Sequence, residues 1–380
     1  MIFTQSLPGC DFSEALQTAS RLDQLSRLYK RESDRAKIPE LLSSLGEIIE
    51  ASKEMDPKLF EAILIKGGIP RPDGGKDDYL SCLPLGLDTV KEYANAIFLD
   101  LSRIQPDYPI FRRSGRGLGG VTFVEFDDIN FVVKWANPIE KGASKIYALF
   151  LEILGDPLLR VPESTQILDE EVFPAHLHPE LRSVGKPLSL LAFPKVPGAP
   201  LLDFIEQKYS LLTPAQKNEL LFELGKIAML DAILLNDDRV ISTKHWGCSN
   251  LANIMIEQGE GGIKLFLIDN ELNLDKEMNV NPEVVVDQIV ALYTPLVSVA
   301  PKTPKEENWE QFALGVRSSR ALLLEGCNFV LRALKERLPA RLDEIERVSE
   351  ELDEDLGSKK FEKMVRNLRA FSELTAAGPR

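Results

Sequence analysis

Three short runs with apolar residues follow one another at residues 108–113, 121–126 and 130–135, the last two rich in Val and Phe, and they restrict the folds open to this chain. Runs of this length and composition, bounded by Gly and Asp, are typical of β-strands. A glycine-rich segment separates the first two runs, and an Asp-Asp pair marks a turn before the third. The pattern therefore predicts a small antiparallel sheet, followed by a helix over residues 138–154.

The glycine-rich segment reads Ser-Gly-Arg-Gly-Leu-Gly-Gly and is a candidate phosphate-binding loop. Glycines allow backbone N–H groups to approach phosphate oxygens closely. The candidate cofactor-binding residues are therefore Gly115, Gly117, Gly119 and Gly120. A hairpin turn between two strands has a similar composition, so both interpretations stay open for this segment alone.

Lys134 stands near the end of the apolar run Phe-Val-Val-Lys-Trp. A lysine that is buried in such a strand needs an anionic partner. In a nucleotide site that partner is the α- and β-phosphates, and the alternative is an edge-strand lysine that points to solvent. Its position after the glycine-rich segment, a strand and a turn favours the nucleotide site.

A second group of polar residues follows a long amphipathic helix that is predicted over residues 215–235. Phosphoryl transfer needs an acid that orients the attacking hydroxyl and oxygen ligands that hold magnesium. Asp238 could be this acid. Asn253 and Asp269 stand on the two sides of a predicted hairpin and could be the metal ligands, with Asn250 as a competing amide ligand. Singly they could be loop or turn residues, but their order along the chain favours a phosphoryl-transfer site.

These features resemble the protein-kinase-like superfamily in their order: glycine-rich loop, strand lysine, helix, linking strand, then Asp, Asn and Asp. The stretch Asn236-Asp-Asp238-Arg239 is similar to the N-x-D-R catalytic loop of an atypical branch, the phosphoinositide kinases and actin-fragmin kinase. The resemblance covers residues 108–275. It implies a two-lobed fold that uses ATP and Mg²⁺.

The resemblance also assigns a role to each matching residue. Lys134 would hold the phosphates, and Asp238 and Arg239 would form the catalytic loop. Asn253 and Asp269 would bind the metal.

The run at residues 190–198 resembles the segment that receives adenine between the two lobes. Backbone amides there would hydrogen-bond the base, beside Phe193 and Val196. An ordinary strand followed by a Pro-Gly turn is the alternative interpretation.

Departures from the family pattern leave two choices open. Asp238 and Asn253 are 15 positions apart, which is more than is usual in kinases, so an insertion must lie between them. The helix glutamate that pairs with the strand lysine is either Glu140, which we prefer, or Glu152. The chain also lacks a His-Arg-Asp triplet, and Asn-Glu rather than Phe-Gly follows the metal-binding aspartate.

The predicted fold class is α+β: a two-lobed protein-kinase-like fold, with a small antiparallel-sheet lobe, a helical lobe and helical N- and C-terminal extensions. The predicted regions are a helical N-terminal region at 1–107, the N-lobe at 108–197 and the C-lobe core at 198–300. A helical part at 301–380 completes the C-lobe or extends it.

Charge and composition exclude some classes of function. The chain has 380 residues and a formal net charge of −14, which argues against non-specific binding to nucleic acid. Its N-terminus lacks a basic start and a long apolar run, and no segment is apolar enough to span a membrane. We expect a cytoplasmic protein, or one exported into another cell without a cleaved signal peptide, and no integral membrane association.

The predicted activity is ATP- and Mg²⁺-dependent transfer of a phosphoryl group to a protein hydroxyl. Residues 271–283 follow the metal-binding aspartate and are not basic, which disfavours an inositol lipid as acceptor. Actin is a partner suggested by the resemblance alone. A phosphoinositide kinase, a pseudokinase scaffold and a kinase-fold nucleotidyl transferase remain as alternatives.

Overall fold

The contacts of the chain form two compact units. Unit 1 comprises Met1–Ala136 and Gln166–Lys195, and unit 2 comprises Asn137–Thr165 and Val196–Arg380. Within them, the computed structural model describes residues 12–13, 15–16, 19–20, 23, 111–113, 121–126, 129–137, 139–162, 165–169, 173, 189–236, 238–240, 250–259, 262–270, 272, 280–293, 303–355 and 360–376.

Strands and helices of the described residues are numbered in chain order. The strands are β1 (Phe111–Arg113), β2 (Val121–Phe126), β3 (Ile129–Ala136), β4 (Leu159–Arg160), β5 (Gln166–Leu168), β6 (Ser189–Pro194), β7 (Ala199–Pro200), β8 (Ile254–Gly259) and β9 (Gly262–Leu267). The α-helices are α1 (Ile139–Leu154), α2 (Leu201–Lys208), α3 (Pro214–Leu234), α4 (Pro282–Tyr293), α5 (Pro304–Ser318), α6 (Arg320–Arg337), α7 (Leu342–Asp355) and α8 (Lys360–Ala376). Short 3₁₀ helices lie at Tyr209–Leu211, Leu251–Asn253 and Leu338–Ala340.

Unit 1 contains an antiparallel sheet with the strand order β1-β2-β3-β6-β5. The runs predicted as three strands form β1, β2 and β3, and Phe126 of β2 is opposite Ile129 of β3. The Asp-Asp pair predicted to form the turn lies outside the described residues. The predicted antiparallel sheet and the α+β class are therefore confirmed.

One face of this sheet forms the apolar core of unit 1. Side chains of a strand alternate between the two faces, so Phe131, Val133 and Trp135 of β3 share this face. Phe12 and Leu16 pack on them from the N-terminal segment, and the Phe12 ring stacks on Phe131 with 5.3 Å between centroids. The even-numbered residues of β3 therefore lie on the opposite face.

Helix α3 forms where the long helix was predicted, but it is not amphipathic, because its residues from Leu220 to Leu234 are buried almost without interruption in the core of unit 2. Thr213 and Gln216 form a capping box at its start, which satisfies the first backbone N–H groups. Leu235 ends the helix with a φ of 63°, a left-handed conformation that turns the chain out of the helix. This turn leads directly into the N-x-D-R stretch.

The backbones of α3 and α6 contact each other directly through two glycines. A Cβ atom on Gly225 would lie 2.2 Å from the carbonyl oxygen of Leu323, and one on Gly326 would lie 2.2 Å from that of Phe222. Neither position has room for a side chain. The glycines therefore fix how closely the two helices pack.

The sheet of unit 2 has the strand order β4-β9-β8-β7, and its centre is the predicted hairpin. Strands β8 and β9 pair antiparallel with Ile254 opposite Leu267, while β4 runs parallel to β9. Helices α7 and α8 pack against each other near the C-terminus, within the part of the chain predicted to be helical. Among the residues described, no helix is long and apolar enough to cross a membrane.

The two units divide the chain differently from the predicted linear boundaries. Helix α1, which the prediction placed in the N-lobe, groups with unit 2. Most of the predicted N-terminal region at 1–107 lies outside the described residues, and the positions described between residues 12 and 23 are helical. The glycine-rich loop at 114–120 is also outside them.

Candidate functional site

The turn after α3 positions Asp238. Asn236 is buried, and its Oδ1 accepts a hydrogen bond from the backbone N–H of Asp238 at 3.0 Å. This bond within Asn-x-Asp is an Asx turn, which holds the backbone without help from a helix or strand. Asp238 is half-buried at the end of this turn.

Asn253 contacts Asp238 in spite of the 15 positions between them. The Asn253 Nδ2 donates to the backbone carbonyl of Asp238 at 3.0 Å. The insertion closes at its base, because the N–H of Asn250 donates to the carbonyl of Arg239 at 2.7 Å. Asn250 also accepts the N–H of Asn253 at 3.0 Å, so its backbone serves to hold the loop. The long spacing that distinguishes this chain from the kinase pattern therefore still leaves the Asn253 side chain in contact with the backbone of Asp238.

Asp269 lies at the same end of the hairpin as Asn253. Asn253 directly precedes β8, Asp269 follows β9 by one intervening residue, and the N–H of Ile268 donates to the carbonyl of Asn253 at 3.0 Å. Asp269 is exposed and has a φ of 54°. Non-glycine residues rarely adopt a positive φ, and strain of this kind concentrates at functional sites. The hairpin thus joins the third predicted residue to the other two.

The chemistry of these side chains suits a hard divalent cation. Carboxylate and amide oxygens are the ligands that Mg²⁺ takes, usually one or two from protein with the rest from phosphates and water. The Nδ2 of Asn253 is engaged with Asp238, which leaves its Oδ1 as the ligand atom beside the carboxylate of Asp269. Among the described residues no three His, Cys, Asp or Glu side chains form a metal-binding cluster.

Arg239 is completely buried, although the resemblance assigned it to catalysis. Its Nη1 donates to Asp231 Oδ1 at 2.5 Å, and its guanidinium lies 5.0 Å from the centre of the Tyr147 ring. Burial is the largest influence and lowers the pKa of a guanidinium, but the adjacent Asp231 carboxylate and further polar neighbours together outweigh it, and the pKa of Arg239 is raised. Arg239 is therefore a permanent buried cation that supports its neighbours rather than a group that meets substrate.

The two candidate helix glutamates occupy different sides of α1. Glu140 stands four residues before Ser144 and seven before Tyr147, so these three share one face of the helix. Ser144 and Tyr147 contact the residues around Asp269 and Arg239, as described below. Glu152 is exposed and pairs with Arg341 at 2.8 Å. The pairing of Lys134 with Glu140, the preferred choice from sequence, stays a prediction.

Lys134 lies in unit 1, on the sheet face opposite the apolar core. Its side chain is buried, and its Nζ is 5.7 Å from the centre of the Phe193 ring. Leu191 is opposite Lys134 in the register of β3 and β6, so its side chain neighbours Lys134 on this face of the sheet. The alternative of a lysine that points to solvent is thereby excluded.

The run predicted to receive adenine forms β6 and the residues after it. Phe193 is buried, and Val196, half-buried, begins the second part of unit 2. Gly198 has a φ of 93°, and a Cβ there would lie 2.1 Å from the carbonyl oxygen of Ile256. The Pro-Gly turn is thus fixed by close backbone packing within unit 2. Gly115, Gly117, Gly119 and Gly120 lie outside the described residues.

Four further residues belong to the site and were not predicted: Ser144, Tyr147, Asp231 and Asn270. Each lies within a helix or beside a strand, where a polar residue normally faces solvent. Asp231 stands in the periodic pattern of α3, eight residues before Arg239. A carboxylate so close to the N-x-D-R arginine was the one signal in the sequence that could have drawn attention to it.

Comparison with known proteins adds no further identification. No protein-family model matches the chain, and no curated protein sequence matches it.

Proposed function

We propose that the chain is an ATP- and Mg²⁺-dependent phosphotransferase of the atypical kinase-like type, which acts on a protein hydroxyl. The observation that supports it best is the hydrogen bond from Asn253 Nδ2 to the carbonyl of Asp238. Together with the β8–β9 hairpin, this bond brings an acid and two oxygen ligands of the predicted set to one place in unit 2.

In the proposed reaction the acceptor oxygen forms a bond to the γ-phosphorus of ATP. The bond from that phosphorus to the β–γ bridging oxygen breaks, and ADP leaves with the oxygen. Asp238 orients the hydroxyl and takes its proton, while Lys134 binds the phosphates. Mg²⁺, held by Asn253 Oδ1 and Asp269, would neutralise charge on the phosphate oxygens.

The charge of the chain supports a protein acceptor over an inositol lipid. The net charge is −14, and residues 271–283 after the metal-binding aspartate carry no excess of Lys or Arg. An anionic membrane surface attracts basic segments and repels acidic ones. Actin remains a suggestion of the family resemblance.

The test compares Asp238→Asn and Asp269→Asn with the unchanged chain, using ATP labelled at the γ-phosphate and a mixture of candidate acceptor proteins. We expect Asp238→Asn to lower transfer by about 10²–10⁴-fold, the range for loss of a general base, with ATP binding retained. Asp269→Asn should weaken metal-dependent binding as well. Asp343→Asn, a fully exposed aspartate on α7, is the matched control.

Intact-mass analysis of the acceptor distinguishes the alternatives. A phosphate adduct supports the proposal, and a nucleotide adduct would show a kinase-fold nucleotidyl transferase. Binding of ATP without any adduct would indicate a pseudokinase. Transfer that is unchanged in Asp238→Asn and Asp269→Asn, with thermal unfolding also unchanged, would overturn the proposal.

A further inference from the structure

The guanidinium of Arg239 contacts both neighbours of Asp269. Its Nη2 donates to the backbone carbonyl of Ile268 at 3.3 Å and to Oδ1 of Asn270. These residues stand immediately before and after Asp269 in the chain. One buried group therefore binds the backbone of the residue before Asp269 and the side chain of the residue after it, and Asp269 itself has a φ of 54°.

Arg239 is itself held from the opposite side. Asp231 Oδ1 accepts hydrogen bonds from Arg239 Nη1 at 2.5 Å and from the Tyr147 hydroxyl at 2.7 Å. Tyr147 is fully buried, and burial together with the negative charge of Asp231 raises its pKa well above its ordinary value. The phenol therefore stays protonated and remains a donor to Asp231.

Asn270 is held at both ends of its amide. Its Oδ1 accepts from Arg239, and its Nδ2 donates to Ser144 Oγ and to the carbonyl of Leu267, both at 3.2 Å. Only 1% of Asn270 is exposed, so water cannot replace these partners. A side chain with every bond made by protein has one orientation available to it.

We infer that Tyr147, Asp231, Arg239 and Asn270, the Arg239 cluster, are positioning residues that hold Asp269 in the conformation that binds a divalent cation. The inference rests on the proposed function, because it requires Asp269 to be a metal ligand. A positive φ at a non-glycine residue persists only where the surroundings impose it. Hydrogen-bonded groups behind a ligand commonly determine its metal affinity.

The cluster also connects α1 to the same place. Tyr147 reaches Asp231, and Ser144 accepts from Asn270, so two residues on one face of α1 are tied to the residues around Asp269. Glu140 lies on this face. One network therefore ties this face of α1 to the residues on both sides of Asp269.

The experiment measures Mn²⁺ binding to the full chain in the presence of ATP, by electron paramagnetic resonance. Asn270→Ala removes the acceptor of Arg239 beside Asp269, and we expect its Mn²⁺ affinity to fall by at least about tenfold. ATP binding without metal should stay unchanged. Asn308→Ala is the matched control, because Asn308 is equally buried, accepts from the N–H of Ser210 at 2.7 Å and donates to the carbonyl of Glu206 at 2.9 Å.

The outcomes separate this inference from the proposed function. Lower Mn²⁺ affinity in Asn270→Ala but not in Asn308→Ala supports it. Equal losses in both variants, or none in Asn270→Ala, overturn it and leave the proposed function standing. An unchanged chain that binds no Mn²⁺ with ATP overturns both. If Asn270→Ala does not fold, Tyr147→Phe provides the same test, because it removes one hydroxyl and keeps the ring. We expect this variant to bind Mn²⁺ several-fold more weakly than the unchanged chain.

Discussion

Lys226 lies in the interior of unit 2 with two carboxylates around its ammonium group. Its Nζ contacts Asp156 Oδ2 and lies 2.5 Å from Glu223 Oε1, and the three side chains are almost completely buried. The ammonium group also lies over the rings of Phe222 and Phe329, at 4.7 and 4.9 Å from their centroids. One cation thus faces two acids in an apolar environment, and two ionised carboxylates would leave an excess negative charge there.

A raised pKa at Glu223 resolves this imbalance. Burial raises the pKa of Glu223 to about 7; Lys226 opposes the rise and the charge of Asp156 adds to it. Between pH 4.5 and 7 the folded chain keeps a proton on Glu223 that the unfolded chain has lost. The contribution of this group to stability is therefore complete below pH 4.5 and falls as the pH rises to 7.

Glu223→Gln should remove that dependence, because a glutamine keeps the shape of the protonated acid and leaves Lys226 paired with Asp156. As the pH rises through this interval, we expect a smaller fall in the free energy of unfolding for Glu223→Gln than for the unchanged chain. The two falls should differ by roughly 1–3 kcal/mol. Urea unfolding at several pH values measures the difference. Glu325→Gln, at an exposed glutamate on α6, should leave the pH dependence of stability unchanged. If the curves of unfolding free energy against pH run parallel for Glu223→Gln and the unchanged chain, the argument is contradicted.

At the scale of elements, local sequence patterns predicted the strands and helices well. Val and Phe runs between Gly and Asp correctly placed β1 to β3, and the β8–β9 hairpin followed from two apolar runs around a glycine-rich turn. These patterns depend on residues that are neighbours in the chain. The position of Asn253 beside Asp238 depends instead on the bond from Asn250 to Arg239, which closes an insertion and leaves no local signature.

The burial of Arg239 could not be predicted for the same reason. The residues around its guanidinium are far apart in the sequence. Tyr147, which donates to Asp231, stands 84 residues before that aspartate, and Asn270 stands 31 residues after Arg239. Only the tertiary fold of unit 2 brings them together. An arginine in a loop motif therefore suggested contact with substrate, whereas the fold encloses it.

The contact of α3 with α6 depends on residues without side chains. Gly225→Ala and Gly326→Ala each place a methyl group against a backbone carbonyl of the other helix, so the helices must move apart. We expect each variant to lower the free energy of unfolding by about 1–3 kcal/mol, although alanine favours a helix over glycine by about 1 kcal/mol. Chemical denaturation measures the loss.

Gly259→Ala is the control for this pair. No atom lies within 4 Å of a Cβ built at Gly259, so its substitution should leave stability close to that of the unchanged chain. Stabilisation in Gly225→Ala or Gly326→Ala would contradict close packing of the helices, since helix propensity would then be the dominant effect.

At the scale of the whole molecule, the proposed ATP-binding residues are divided between the two units. Lys134 belongs to unit 1, whereas Asp238, Asn253 and Asp269 belong to unit 2. Variants of each set therefore test the proposed function separately, Lys134 for nucleotide binding and Asp269 for metal binding. A ligand that binds only the folded chain stabilises it by about 2.7 kcal/mol at a concentration 100 times its Kd.

Addition of ATP with Mg²⁺ should consequently raise the Tm of the full chain by several degrees, and EDTA should reverse the metal-dependent part. Lys134→Met retains the bulk of a buried side chain and removes its charge, so we expect little or no rise in Tm with ATP and Mg²⁺. Asp269→Asn should lose only the metal-dependent part of the rise in Tm, which is the part that EDTA removes from the unchanged chain. Lys264→Met, at an exposed position on β9, is the control and should respond as the unchanged chain does. A full rise in Lys134→Met would show that this lysine does not bind the nucleotide, because a buried ammonium group that contacts phosphate cannot be replaced by a neutral side chain without weaker binding.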